Sequence, residues 1–223
     1  MSNRTHSLNL GGALMRSFAA LLALAATCAA QSASGGQPAS KTSSGSGTAA
    51  TYASADAKPG APAAAAPKVG EAAPDFKLPY ATAEKLFMKP DEQMTLSGLR
   101  GKNVILAFYP ADWSGGCTTE VCTFRDTFME FGKFNAMVLG ISGDYVFSHH
   151  EWAKHHKLQF PLLSDHDHRV AKAYDSYMEQ YGFNKRTVYL IDKEGIVRYV
   201  NLAFKAGDKK DYDTLRAELE KLK

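Results

Sequence analysis

The chain has 223 residues, 45 % of them hydrophobic, and 26 lysines and arginines stand against 23 acids for a net charge of +3. The basic residues are scattered along the folded part, which argues against nucleic acid as a partner. Composition is so uneven that the folded length is shorter than the chain, and one domain is the economical count.

Residues 1–30 read as a secretory signal peptide. Met1 to Ser17 holds two arginines and no acid, and Phe18 to Ala30 (FAALLALAATCAA) is an apolar run too short to span a bilayer comfortably. Cleavage after Ala30 predicts an exported protein, periplasmic or otherwise extracytoplasmic. Cys28 also admits a lipoprotein reading, although Thr27 before it fits that signal poorly. Membrane contact is expected only if this segment stays uncleaved or is lipidated. Residues 31–67, built almost wholly from Ala, Ser, Gly, Thr and Pro, predict a disordered linker. Residues 68–223 carry the aromatic and apolar content for one core.

Within that domain Asn103 to Tyr109 (NVILAFY) is a near-continuous apolar run, as expected of a central parallel strand buried on both faces. Val121, Phe124, Phe128 and Phe131 then recur at steps of three and four, predicting an amphipathic helix over Thr118 to Phe131 that Gly132 stops. Ala136 to Ile141 predicts a second buried strand and completes a strand-helix-strand unit. A short helix follows over Ser148 to Lys157, then the turn-bounded PLLSD segment, then a helix over Arg169 to Tyr177. Thr187 to Ile191 and Ile196 to Asn201 flank Asp-Lys-Glu-Gly, an antiparallel hairpin signal. Tyr212, Leu215, Leu219 and Leu222 predict a C-terminal helix packed on the sheet. A βαβ half followed by a ββα half is the thioredoxin-like α/β arrangement, a central mixed β-sheet flanked by helices.

The stretch SGGCTTEVC from Ser114 to Cys122 falls at the first turn of the first helix. Once the signal is removed, Cys117 and Cys122 are the remaining cysteines, and an exported protein would ordinarily pair them in a structural disulfide. So short a loop removes little unfolded-state entropy, however. On one ideal helix, residues five apart have Cα atoms about 8.6 Å apart, beyond the usual disulfide window, so the pair cannot bridge without unwinding. Cys117 sits where free N–H groups and the positive dipole end favour thiolate, whereas Cys122 is further in and reads as an ordinary thiol. The spacing therefore leaves Cys117 available to a small ligand while folded. Gly115 and Gly116 allow close backbone approach, Pro110 shields one side, and Ser114 offers a hydroxyl.

FYPADWSGGCTTEVC resembles the active-site signature of peroxiredoxins, with Pro110, Ser114 and Cys117 matching Pro-x-x-x-Thr/Ser-x-x-Cys, and the position of Cys122 resembles the bacterioferritin comigratory protein or Q-type subfamily. VGEAAPDFKLP, LRGKNVILAFYP and RTVYLID (Arg186 to Asp192) match as well, so the resemblance covers essentially the whole globular part. Gly115 departs from the proline common there, and Ser114 replaces the commoner threonine. The resemblance implies a thioredoxin-dependent peroxidase that needs no cofactor or metal. Cys117 would be the peroxidatic cysteine, attacking hydrogen peroxide or an organic hydroperoxide and becoming a sulfenic acid. Ser114, the N–H groups of Gly116 and Cys117, and Arg186 would hold the peroxide oxygens. Glu120 would orient the turn. Cys122 would resolve the sulfenic acid as an intrachain disulfide after local unwinding, and a thioredoxin-like dithiol reductant would recycle it. A resolving cysteine on the same chain needs no partner subunit and fits a monomer.

Two other readings compete. An exported thiol–disulfide exchange protein without peroxidase activity would share the fold, though it would prefer CxxC. A metal-binding module is suggested by His149, His150, His155, His156, His166 and His168, yet no HExxH or compact Cys/His set accompanies them, and a solvated helix is favoured. Arg125 is left outside the core site as a helix-face residue, and Trp113 is read as packing.

Overall fold

The computed structural model describes residues 65–222, so the expected signal peptide and most of the expected linker lie outside the described residues. In chain order the elements are β1 (Lys77–Leu78), β2 (Tyr80–Ala81), β3 (Leu86–Phe87), β4 (Met94–Thr95), β5 (Asn103–Phe108), α1 (Gly115–Gly132), β6 (Ala136–Ser142), α2 (Val146–His156), β7 (Leu162–Ser164), α3 (Arg169–Ala173), β8 (Tyr177–Met178), β9 (Phe183–Asn184), β10 (Thr187–Ile191), β11 (Val197–Asn201) and α4 (Lys209–Glu220). The main sheet has seven strands in the order β11-β10-β5-β6-β7-β2-β3. Strands β5, β6 and β7 run parallel, and the pairs β10 with β5 and β11 with β10 are antiparallel. This is the mixed sheet expected from a βαβ unit followed by a hairpin.

Strand β5 lies at the centre, all six residues buried, and its side chains alternate between two cores as the period of a strand requires. Ile105 and Ala107 face a core built with Val121, Phe124 and Phe131 of α1, Trp152 of α2, and Tyr212, Leu215 and Leu219 of α4. Val104, Leu106 and Phe108 face the other core with Val170 and Tyr174, Tyr189, and Phe76 and Leu78 from the N-terminal segment. Each fully buried large side chain contributes about 1.5–3 kcal/mol, so a strand buried on both faces anchors everything attached to its ends. The Phe128 side chain, expected in the same core, lies outside the described residues.

The structure corrects several boundaries. Helix α1 begins at Gly115, three residues before the expected Thr118, because apolar periodicity marks the buried stripe and not the polar first turn. Gly132 is still helical. The chain turns over Lys133 and Asn135 instead, where Asn135 takes φ 52° and its side-chain amide donates to Gly101 O at 2.9 Å. Helix α2 starts at Val146 and ends at His156, capped by Lys157, which is left-handed at φ 53°. The helix expected over Arg169 to Tyr177 stops at Ala173. The Tyr174 carbonyl is taken by the hydroxyls of Ser176 and Tyr189, Asp175 turns left-handed at φ 46°, and Tyr177 enters β8, which pairs with β9. Ile196 bridges to Ala72 ahead of β11. Gly195 at the hairpin tip has φ 83°, and a side chain there would meet Arg100.

Candidate active site

The register Thr187↔Phe108 places the residue before β10 beside the end of β5, where the chain leaves the sheet through Pro110 and enters α1. That residue is Arg186. Its Nη2 lies 3.4 Å from Cys117 Sγ, and its Nη1 donates to a Glu120 carboxylate oxygen. Cys117 and Glu120 are three apart on α1 and therefore share a face, so one planar guanidinium spans both. Gly116 leaves the room for it, since a Cβ at Gly116 would stand 3.3 Å from Arg186 Nη2.

Cys117 and Glu120 are both fully buried, while the Arg186 side chain is 18 % exposed. The folded turn sets Cys117 beside the Arg186 guanidinium at the start of α1, but its side chain is buried and not open on the surface as the spacing predicts. Burial pushes the Glu120 carboxyl up to about 7, against the pull of Arg186. Among the described residues its second oxygen has no hydrogen-bond partner.

Ser114 is the N-cap of α1, with extended backbone at φ −76° and ψ 144°, and its carbonyl accepts from Thr118 N at 2.8 Å. Its hydroxyl makes no capping bond. It donates to Ala111 O at 3.1 Å, so its proton is committed within the loop. Gly116 and Cys117 stand in the first turn of α1, where backbone N–H groups have no acceptor within the helix. Pro110 is half-buried where β5 ends.

Behind this loop lies a buried polar network that the sequence reading missed. Asp112 accepts from the Tyr109 hydroxyl at 2.8 Å, the Ser148 hydroxyl at 2.7 Å and His149 Nδ1 at 2.9 Å, and His149 Nε2 reaches Leu163 O at 3.2 Å. Burial, with the Asp112 charge adding to it, holds the Tyr109 phenol well above its usual range, so it remains a donor. Trp113, left-handed at φ 62° and 54 % exposed, donates from its indole to Ser148 Oγ at 3.2 Å. Its ring also lies against His155, His156 and Trp152, so packing describes only one side of it. Asp112 and His149 are 37 residues apart with no local motif, so nothing in the sequence links them.

Cys122 is half-buried one turn and a half further along α1, and its Sγ lies 3.7 Å from His156 Nδ1. Both cysteines are free thiols. Arg125, on the same helix, pairs with Asp126 and also donates to His156 O at 2.9 Å, tying α1 to the end of α2. The six histidines do not converge. His149 serves Asp112, His150 bonds Thr82 O, His166 bonds Gly143 O, His168 bonds Asn184, and His155 and His156 contact each other edge to face.

Residues 69–200 match the AhpC/TSA family, more than half of the sequence. The chain belongs to that family. Peroxiredoxin Bcp of Bacillus subtilis is 38 % identical over 136 residues, spanning 57 % of this chain and 80 % of that protein. The chloroplastic peroxiredoxin Q of Oryza sativa subsp. japonica is 39 % identical over 132 residues, 59 % of this chain and 57 % of that longer protein. Among solved structures, peroxidoxin BcpB of Mycobacterium tuberculosis superposes with a TM-score of 0.61 at 31 % identity, covering 70 % of this chain and 99 % of that one. The chain is thus a peroxiredoxin of the Bcp/Q type with a thioredoxin-like fold, and its activity is that of a thiol-dependent peroxidase. Family membership implies a peroxide as substrate and a thioredoxin-type reductant.

Proposed function

We propose that Cys117 is the peroxidatic cysteine and Cys122 the resolving one, acting on hydrogen peroxide and organic hydroperoxides. The observation that carries this reading is the Arg186 guanidinium 3.4 Å from a buried sulfur at the N-terminus of an 18-residue helix. A fixed cation and free N–H groups both favour thiolate over thiol. The thiolate attacks the nearer peroxide oxygen. An S–O bond forms, the O–O bond breaks, and the departing oxygen leaves as water or alcohol on taking a proton. Arg186 and the N–H groups of Gly116 and Cys117 meet the charge that develops there. Glu120 holds the guanidinium in register, Pro110 walls the entry, and Ser114 shapes the loop through Ala111.

Resolution requires the first turn of α1 to open, and its composition favours that. Gly115, Gly116, Cys117, Thr118 and Thr119 are poor helix formers, and Thr119, Thr123 and Thr127 each donate a hydroxyl to the carbonyl four residues back, which weakens a helix. The Cys117–Cys122 disulfide is then reduced by a thioredoxin-like dithiol protein. Because both cysteines lie on one chain, the cycle closes within a monomer. The N-terminal pattern of residues 1–30 supports an exported location.

Peroxide consumption with a dithiol reductant tests the assignment. Wild type and Cys122→Ser consume the first equivalent and Cys117→Ser does not. Full turnover by Cys117→Ser, or disulfide exchange without peroxide turnover by wild type, would overturn it.

A further inference from the structure

We infer that His156 is a catalytic base for resolution, taking the proton of Cys122 as that sulfur attacks the sulfenic acid on Cys117. The inference rests on the cysteine roles just proposed. Its basis is a contact across two elements: His156, the last residue of α2, turns Nδ1 to within 3.7 Å of Cys122 Sγ, near enough for a direct S–H to N transfer. The ring is held there by its surroundings. Trp152 meets it edge to face at 5.8 Å, Trp113 lies 6.5 Å away, and Arg125 grips its backbone carbonyl at 2.9 Å.

The charged and titratable groups around it keep it neutral. Desolvation first, then His155 beside it on α2 and Arg125 opposite on α1, hold the His156 imidazole below the usual histidine range, so at neutral pH it carries a free nitrogen lone pair. Both partners are half-buried, dry enough to define the geometry and wet enough to exchange the proton afterwards. A resolving thiol without such a neighbour reacts only through the small fraction present as thiolate.

The step balances without a further reagent. The Cys122 proton passes to His156 Nδ1, and the thiolate attacks Cys117 Sγ. The S–S bond forms as the S–O bond breaks, and the departing hydroxide collects the proton from His156 and leaves as water. The sulfenic sulfur is reduced and the Cys122 sulfur oxidised. Arg125 also implies which segment moves: Cys122 stays docked beside His156, and the turn over residues 115–121 unwinds to deliver Cys117.

The test is a rapid-quench time course of reduced full-length protein mixed with one equivalent of hydrogen peroxide, with sulfenic acid and disulfide counted by mass spectrometry from pH 5 to 8.5. In wild type the disulfide-forming step slows as pH falls and His156 protonates, while formation of sulfenic acid is read separately. His156→Asn forms sulfenic acid at the wild-type rate, forms disulfide about 10- to 100-fold more slowly, and loses that pH inflection. His155→Asn keeps it. Imidazole added to His156→Ala restores resolution, which a merely structural role would not allow. A wild-type resolution rate independent of pH in this range overturns the inference even if the variants fold poorly, and so does His156→Asn resolving at the wild-type rate. Absence of any sulfenic acid in wild type would instead strike the cysteine assignment itself.

Discussion

Arg186 Nη2 stands 3.4 Å from the sulfur of Cys117, although the two residues are 69 apart in sequence. Antiparallel pairing of β10 with β5 brings them together, so the site is set by strand register before any side chain is chosen. Replacing Arg186 by Ala is expected to slow the reaction of Cys117 with peroxide about 10²- to 10³-fold, the usual loss for one preorganised donor. Arg186→Lys falls between, because an ammonium keeps the charge but cannot span Cys117 and Glu120 together. Second-order rates of thiol loss under single-turnover conditions check both.

Glu120 gives the reduced protein a pH dependence of definite sign. Its folded value, raised by burial to about 7 from an ordinary 4.5, means the folded state holds the proton more tightly than the unfolded chain. Its contribution to stability is therefore complete below about pH 4.5 and is lost as pH rises through about 7, by up to about 3 kcal/mol. Denaturant midpoints at pH 5 and pH 8 measure the loss, and Glu120→Gln, which cannot ionise, is expected to flatten that part of the profile. An unchanged profile in the variant would place the dependence on another group.

Gly115 offers a direct handle on the unwinding step. It is the first residue of α1, a Cβ there meets nothing within 4 Å, and Ser114 before it already has the extended backbone that a following proline requires. Gly115→Pro is expected to stabilise the reduced form by about 0.4–1 kcal/mol through the unfolded chain. The same stiffening slows disulfide formation relative to sulfenic acid formation. More Cys117 then reaches sulfinic acid under excess peroxide, which intact-mass measurement reads as a gain of two oxygens.

The Asp112–His149 pair ties the loop before α1 to α2 from behind. Removing either partner takes a buried hydrogen bond from the other, while Asp112 keeps those from Tyr109 and Ser148, with an expected cost of about 1–3 kcal/mol. Asp112→Asn and His149→Phe should each lower the melting temperature, and the double variant should lose less than the sum, with a coupling of about 1–3 kcal/mol in a thermodynamic cycle. Simple additivity would mean that the two side chains act independently.

The fold was legible wherever burial imposes a period. Strands β5, β6 and β10 and helices α1 and α4 follow from runs and steps of apolar residues. The α3 end was not legible, because Tyr174 gives its carbonyl to side-chain hydroxyls, a tertiary contact that overrides helix periodicity. The short strands β1 to β4 carry too few residues for any period to show. In the site, Cys117, Gly116 and Cys122 were visible through spacing, and Arg186 and Glu120 through a resemblance to a known motif. The Ser114 hydroxyl direction, the Asp112 network and the His156 contact depend on loop geometry and helix docking, which no local pattern encodes.

The most direct test treats the reduced full-length protein with one equivalent of hydrogen peroxide, digests it without reducing agent, and identifies the cysteine-containing peptides by mass spectrometry. The account predicts a Cys117–Cys122 disulfide in wild type and a sulfenic acid on Cys117 in Cys122→Ser. Two intact thiols after peroxide is consumed, or oxidation confined to Cys122, would contradict it.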